Sequence, residues 1–155
     1  ENQRGYTWVE LADGTVIYSC YFSPNRPHAE FTAYLDLLGQ DIDRKTCQKK
    51  IIVTGDFNAS AHEWGAGQTD VRGRELNEWL AQRDMVVINE GSTPTFQRRA
   101  SQVAFIDVTL ATAEVAQRIQ KWRVHENIES LSDHRDKGRI NRRSARQAAA
   151  LAQSK

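Results

Sequence analysis

The amino-acid sequence predicts a layered α/β domain whose sheet is largely antiparallel or mixed. Three observations support this: strand-like and helical segments alternate along the chain, two strand-like segments near the start indicate a hairpin, and residues 51–54 read as a buried strand. Hairpins combined with helical crossovers are typical of sheets with helices packed on them. The length of 155 residues fits one domain with a single core.

The first predicted element is a β-hairpin. Residues 6–11 and 15–22 are rich in β-branched and aromatic side chains, which strands favour. Asp13 and Gly14 lie between the two segments, and this dipeptide accepts the positive φ angles of a tight turn. Pro27 follows the second segment and suits the first turn of a helix.

Two amphipathic helices flank the buried strand. Apolar residues that repeat at intervals of three and four predict one buried face on each helix. These residues are Phe31, Tyr34, Leu35, Leu38 and Ile42 in the first helix and Leu76, Trp79 and Leu80 in the second. The continuous apolar run at residues 51–53 is typical of a strand that is covered on both faces.

The rest of the chain predicts shorter elements. The expected strands are residues 85–89, 95–97, 103–110 and 122–124, with a brief helix at residues 113–119. Arg98 and Arg99 are expected on the connection between two of these strands. They could touch a DNA backbone there, although paired arginines on a turn are also common as plain solvent-exposed residues.

Charge is divided unevenly along the chain. The formal net charge is +1, yet residues 135–155 contain seven Lys and Arg and one acid. A basic segment can bind nucleic acid, but a solvated terminal tail has the same composition. No apolar stretch is long enough to span a bilayer, so no membrane partner is expected. Cys20 and Cys47 lack zinc-site spacing and are expected to be reduced thiols.

The buried strand ends in polar residues. Asp56 and Asn58 are two positions apart and would lie on one side of an extended chain, where they could hold a metal, a water or a phosphate oxygen. Gly55, Asp56 and Asn58 are also ordinary turn residues. Taken alone, this segment favours a turn.

Other acids stand at or near predicted strand ends. Asp107 interrupts an apolar strand, where a carboxylate needs a partner, and Asp133 precedes His134. A neutral His held by a carboxylate can stabilise the negative charge that grows on a phosphate, and a second carboxylate can orient or deprotonate water. Mg²⁺ would offset the phosphate and the acids. The set therefore predicts phosphodiester hydrolysis, whereas each residue alone has a structural explanation.

The ordered motifs resemble those of the endonuclease/exonuclease/phosphatase superfamily, and more narrowly the endonuclease domain of non-LTR retrotransposons. The superfamily motifs are residues 21–25 (YFSPN), 55–58 (GDFN), 106–107 (ID) and 132–134 (SDH). The narrower resemblance lies in residues 58–59 (NA), 64–65 (WG), 70–73 (DVRG), 89–91 (NEG), 94–96 (PTF) and 106–110 (IDVTL). It spans residues 6–135 and implies a two-layered β-sandwich flanked by helices.

The resemblance also implies roles for individual residues. Asp56 would activate or position the attacking water, and Asn58 would bind the scissile phosphate. Asp107 would orient His134, whose imidazole faces the phosphate, and Asp133 would support the metal and water network. Mg²⁺ is the implied cofactor.

Partners follow from the same resemblance. DNA is the implied substrate, and the intact element would carry a downstream reverse transcriptase and act in the nucleus. Asn25 would border the nucleic-acid cleft, and Arg98 and Arg99 would add backbone contacts. Trp64 either contacts a base or sugar or caps the edge of the sheet.

The family pattern begins with a strand that carries an Asn, followed by a metal-ligating Glu, and this sequence has no match to either. Residues 1–135 are therefore expected to form an incomplete domain with impaired cleavage, followed by a basic tail at residues 136–155. One alternative is a non-catalytic remnant that binds nucleic acid through this tail. Another is a superfamily phosphatase.

Overall fold

A computed structural model describes residues 4–45, 50–99, 102–125 and 136–137. The strands are β1 (Tyr6–Glu10), β2 (Val16–Tyr21), β3 (Ile51–Asp56), β4 (Met85–Val87), β5 (Phe96–Arg99), β6 (Gln102–Ala104), β7 (Asp107–Thr112), β8 (Val124–His125) and β9 (Asp136–Lys137). The helices are α1 (His28–Lys45), α2 (Val71–Ala81) and α3 (Ala113–Ala116), and a 3₁₀ turn covers His62–Trp64. None of the described helices is long and apolar enough to cross a membrane.

The predicted hairpin is confirmed. β1 and β2 pair antiparallel, from Tyr6 opposite Cys20 to Glu10 opposite Val16. Gly14 has a φ of 79° at the turn, as the tight turn requires. The Thr15 N–H donates to the Asp13 carboxylate, and this bond holds the pKa of Asp13 below its ordinary value.

A five-stranded sheet in the order β1-β2-β3-β7-β4 forms the centre of the molecule. β2 and β3 are parallel and are connected through α1, whereas β7 runs antiparallel to both β3 and β4. A helical crossover is the usual connection between neighbouring parallel strands. The predicted α/β class with a mixed sheet flanked by helices is confirmed.

One face of the sheet, the helix face, packs on α1 and α2 and holds most of the buried apolar residues. All eight apolar positions that the sequence assigned to the two helices are buried. From the sheet, Val53 of β3 and Leu110 of β7 lie opposite each other in this core. The spacing of apolar residues therefore identified the buried sides of both helices correctly.

The opposite face, the polar face, carries a smaller apolar cluster. Ile52 and Ala111 face each other across β3 and β7, and Val115 of α3 packs on them. Next along the strands, the hydroxyls of Thr54 and Thr109 lie 3.2 Å apart. Because successive side chains of a strand alternate between faces, β3 contributes to the core and to this polar row at once.

Several boundaries differ from the sequence prediction by a few residues, and two differences change the description of the fold. The segment 103–110 is divided, because β6 pairs with β5 while β7 joins the central sheet. Arg98 and Arg99 belong to β5, so their placement on the connection is wrong: Arg99 pairs with Gln102, after a register shift between Gln97 and Arg99. Charged residues are common on strands at the edges of sheets, so charge does not mark the end of a strand.

Candidate functional site

The sheet brings the ends of three strands together at one edge. β2 and β3 are parallel and both end there, while the antiparallel β7 begins there. The pairs that mark this site edge are Tyr21 with Asp56 and Asp56 with Asp107. Residues far apart in the sequence thus become direct neighbours through strand register.

Asp56 and Asp107 are directly opposite each other on β3 and β7. Side chains of opposed residues point to the same face, with Cβ atoms about 4.5–5.5 Å apart. Asp56 is 8% exposed and Asp107 4% exposed. Two opposed and buried carboxylates require hydrogen-bond donors or a cation to offset their repulsion. Such a pair is typical of a site that binds a cation or handles protons.

Asn58 reaches Asp56 through a turn rather than along an extended strand. Its φ is 45°, and its backbone N–H donates to Oδ1 of Asp56 over 2.8 Å. Its side-chain Nδ2 donates to the carbonyl of Phe22 over 2.9 Å. The extended geometry expected for this pair is therefore wrong and the turn alternative is correct, because asparagine tolerates a positive φ. The turn still keeps the backbone of Asn58 in direct contact with the Asp56 carboxylate.

Two residues for which the sequence predicted no role, Asn89 and Thr95, fix the start of β7. The hydroxyl oxygen of Thr95 accepts from the N–H groups of both Ile106 and Asp107. Asn89 donates from Nδ2 to the Asp107 carbonyl and accepts from the Thr109 N–H at Oδ1. Both residues lie in segments that carry the narrower resemblance, 89–91 and 94–96, so the sequence indicated their positions but not their hydrogen-bonding roles.

The loop between β2 and α1 lies beside the same edge. Phe22 bonds to the β3 turn in both directions, because its N–H donates to the Asp56 carbonyl and its own carbonyl accepts from Asn58. Asn25 on this loop is exposed, as a residue bordering a cleft must be. Phe22 is buried in the core, whereas Tyr21 is 56% exposed beside Asp56.

Trp64 does not lie where a base or sugar could reach it. It is 2% exposed, and its indole N–H donates to the carbonyls of Ala59 and Phe105. The prediction of a nucleic-acid contact is wrong for this residue, because burial hides the ring and both bonds are internal. Trp64 instead fixes the segment after β3 against the residues that lead into β7.

Cys20 is not a candidate nucleophile. Its thiol is buried in β2 on the helix face, and burial raises its pKa to about 12. The thiolate, which is the reactive form, is scarce near neutral pH at such a pKa.

Asp133 and His134, the predicted metal ligand and imidazole, lie outside the described residues. Within the described ranges, no group of three or more His, Cys, Asp or Glu is arranged to hold a metal ion. Asp56, Asn58 and Asp107 nevertheless offer oxygen donors, which hard divalent cations prefer. The side chains of Arg98 and Arg99 are likewise not described, so their contact with DNA stays a prediction.

The fold and the opposed acids define a class: α/β proteins whose polar side chains gather at one edge of a mixed sheet. A family model described as endonuclease-reverse transcriptase matches residues 15–137. The chain therefore belongs to the endonuclease-reverse transcriptase family, and the predicted resemblance to retrotransposon endonucleases is confirmed.

Solved structures agree with this assignment. The chain is similar to the endonuclease domain of TRAS1, a telomere-specific non-LTR retrotransposon, with a TM-score of 0.68 and 31% identity over 79% of this chain and 54% of that chain. It is also similar in fold to the 3'-5' exonuclease NExo from Neisseria meningitidis, with a TM-score of 0.67, 18% identity, and coverage of 87% of this chain and 64% of that chain.

A curated relative is the RNA-directed DNA polymerase from mobile element jockey of Drosophila funebris. It is 29% identical over 99 residues, which are 62% of this chain and 10% of the jockey protein. The chain thus spans about half of the TRAS1 domain and a tenth of the jockey protein.

Proposed function

We propose that this chain carries the site of a Mg²⁺-dependent endonuclease that hydrolyses phosphodiester bonds and nicks DNA. The observation that supports it most directly is the opposed pair of Asp56 and Asp107 at the site edge. A pair of buried acids beside an exposed polar loop suits a reaction in which water is activated next to a charged phosphate. Membership in the endonuclease-reverse transcriptase family supports the same class of reaction.

The proposed roles divide the reaction among five residues. Asp56 orients or deprotonates the attacking water, and Asn58 binds the scissile phosphate beside it, supported by the turn that joins them. Asp107 orients the imidazole of His134, which faces the phosphate and stabilises the charge that grows there. Asp133 supports the metal and the water network.

Magnesium is the proposed cofactor because the donors fit it. Carboxylate and carboxamide oxygens suit a hard cation that also keeps water and phosphate ligands. Asp133 is the proposed protein ligand, and Asp56 and Asp107 present further carboxylate oxygens at the site edge. When bound, the cation offsets the negative charge of the phosphate and of these acids.

DNA is the proposed substrate. Asn25 is exposed next to the site edge, and Arg98 and Arg99 end a hairpin strand that can supply cationic backbone contacts. The similarity to TRAS1 and jockey supports DNA as substrate and a reverse transcriptase as partner in the intact element.

A plasmid assay tests this function. Supercoiled DNA is incubated with Mg²⁺ and the wild-type chain, Asp56→Asn or His134→Ala, and nicked circles are counted. Asp36→Asn is the matched control, because it removes an equal charge from an exposed position on α1. We expect slow nicking by the wild type and the control, because cleavage by this chain is expected to be impaired. We expect loss in the two site variants, and loss for all when EDTA is present. Equal cleavage by all four chains, or none by the wild type, would refute the proposal.

A further inference from the structure

We propose that Arg72 is a positioning residue, which locks the loop carrying Asn25 to the turn carrying Asn58. This role rests on the proposed nuclease function, since the two carboxamides are to act on one substrate strand. Arg72 is the second residue of α2 and belongs to the segment 70–73 (DVRG), for which the resemblance implied no role in the site. The inference comes from the contacts of its guanidinium.

The Arg72 guanidinium donates to four backbone carbonyls. Its two terminal nitrogens reach Ser23 at 3.5 Å, Asn58 at 3.3 Å, Pro24 at 3.3 Å, and Arg26. Three of these acceptors lie on the loop between β2 and α1, and the fourth lies on the turn after β3. A single side chain therefore bridges the two segments that border the site edge.

The acceptors surround Asn25. Pro24 precedes it and Arg26 follows it, so Arg72 restrains the backbone on both sides of this exposed carboxamide. The bond to the Asn58 carbonyl then fixes that loop relative to the turn that carries Asp56 and Asn58. Because a misplacement of about 1 Å can cost roughly 100-fold in rate, a fixed relation between the two segments matters for a shared substrate.

Two aromatic rings of the core lie close to the Arg72 guanidinium. The Arg72 carbon Cζ lies 5.0 Å from the ring centre of Phe22 and 5.5 Å from that of Phe31. These rings are buried and pack edge to face, with centroids 5.1 Å apart. Stacking of this kind favours arginine, because its planar cation attracts ring faces.

The start of α2 gives Arg72 a rigid base. Asp70 caps the helix, accepting from the Gly73 N–H, and its other carboxylate oxygen accepts from the Ser60 N–H. Gly73 lies so near Ser60 that an added Cβ would come within 2.0 Å of the Ser60 carbonyl oxygen. The guanidinium therefore extends from a helix that is itself pinned to the segment after β3.

Lysine cannot replace this arrangement. Arginine presents five N–H donors in a planar fork, whereas lysine offers one compact ammonium group at the end of a flexible stem. An ammonium keeps the positive charge but cannot reach all four carbonyls while it contacts both rings. Arg72→Lys thus keeps the positive charge of the residue and removes its planar arrangement of donors.

The test compares Arg72→Lys and Arg72→Gln with Arg74→Gln, a matched control on the exposed side of α2. Backbone amide hydrogen exchange of residues 22–27 is followed by mass spectrometry. We expect exchange roughly 10-fold faster in both Arg72 variants and unchanged in the control, because only the former lose charge-assisted hydrogen bonds to the loop. The catalytic constant for plasmid nicking should fall about 10- to 100-fold while KM changes less than about threefold.

Unchanged exchange in the Arg72 variants would overturn the proposal, and so would faster exchange with an unchanged catalytic constant. Full recovery by lysine would refute the need for the guanidinium fork. A wild-type chain that nicks no DNA refutes the proposed function instead. In that event exchange and affinity for a short duplex decide about Arg72: several-fold weaker binding is expected in both variants, and wild-type affinity would overturn the proposal.

Discussion

The two faces of the central sheet use the same strands for different purposes. On the helix face, Val53 and Leu110 pack under α1 and α2 in an apolar core. On the polar face, Thr54 lies opposite Thr109, and Asp56 lies opposite Asp107. Residues that stabilise the core and polar residues of the candidate site thus alternate along the same two strands, and their side chains point to opposite faces of the sheet.

The two faces therefore tolerate different side-chain substitutions. A core position is constrained by volume, because interiors are close-packed and an empty space is costly. A polar position beside the site is constrained by its hydrogen-bond partners and by charge. Substitutions that change only the volume, or only the hydrogen bonding, of a side chain therefore test the two faces separately.

The largest expected effect on folding is at the helix face. Leu110→Ala should lower the free energy of unfolding by about 2–5 kcal/mol, because Leu110 is fully buried against the helices. Val86→Ala is the matched control, since Val86 lies on the neighbouring strand but is exposed, and it should change stability by about 0.5 kcal/mol or less. Urea denaturation measures both, and equal losses would contradict the assigned core.

A smaller effect is expected in the polar row. The indole N–H of Trp122 donates to Oγ1 of Thr109, which also pairs with Thr54 at 3.2 Å. Thr109→Val should cost about 1–3 kcal/mol, because the buried indole loses this acceptor, whereas Thr54→Val should cost about 0.5–1.5 kcal/mol. Chemical denaturation of both variants checks the order. A larger loss in Thr54→Val would contradict the assignment of the Trp122–Thr109 hydrogen bond as the stronger contact of this row.

The smallest expected effect is chemical and concerns the helix face again. Because burial raises the pKa of Cys20 to about 12, iodoacetamide should modify this thiol very slowly at pH 8 in the folded chain. A Cys47→Ser background isolates Cys20, and mass spectrometry follows the modification. Urea should restore ordinary reactivity. Rapid modification of the folded chain at pH 8 would show that this face of β2 opens to solvent.

Much of the fold could be predicted because it depends on local patterns. Periodic apolar residues identified the buried sides of α1 and α2, and Asp13 with Gly14 identified the hairpin turn. Strand boundaries were harder to predict from the sequence. The single strand predicted over residues 103–110 is divided because its two parts pair with different partners.

The site was predicted as a set of residues but not as a geometry. Asp56 and Asp107 were both identified, yet their direct opposition depends on the register between strands that are distant in sequence. The two alternatives for Trp64 could not be separated from the sequence, because the two carbonyl partners of its buried indole appear only on folding. Arg72 lies in the segment 70–73 that carries the resemblance, yet its role was not predicted, because its partners belong to two other segments.

The most direct test of the account is a double-mutant cycle on Asp56→Asn and Asp107→Asn, read as nicking rates with unfolding midpoints as a control for folding. Each single variant should lose about 10²–10⁴-fold in rate. Because residues that act as one unit are not additive, the double variant should be no slower than the slower single variant. Losses that multiply would mean that the two carboxylates act independently, and would contradict the assignment of the opposed pair as one catalytic unit.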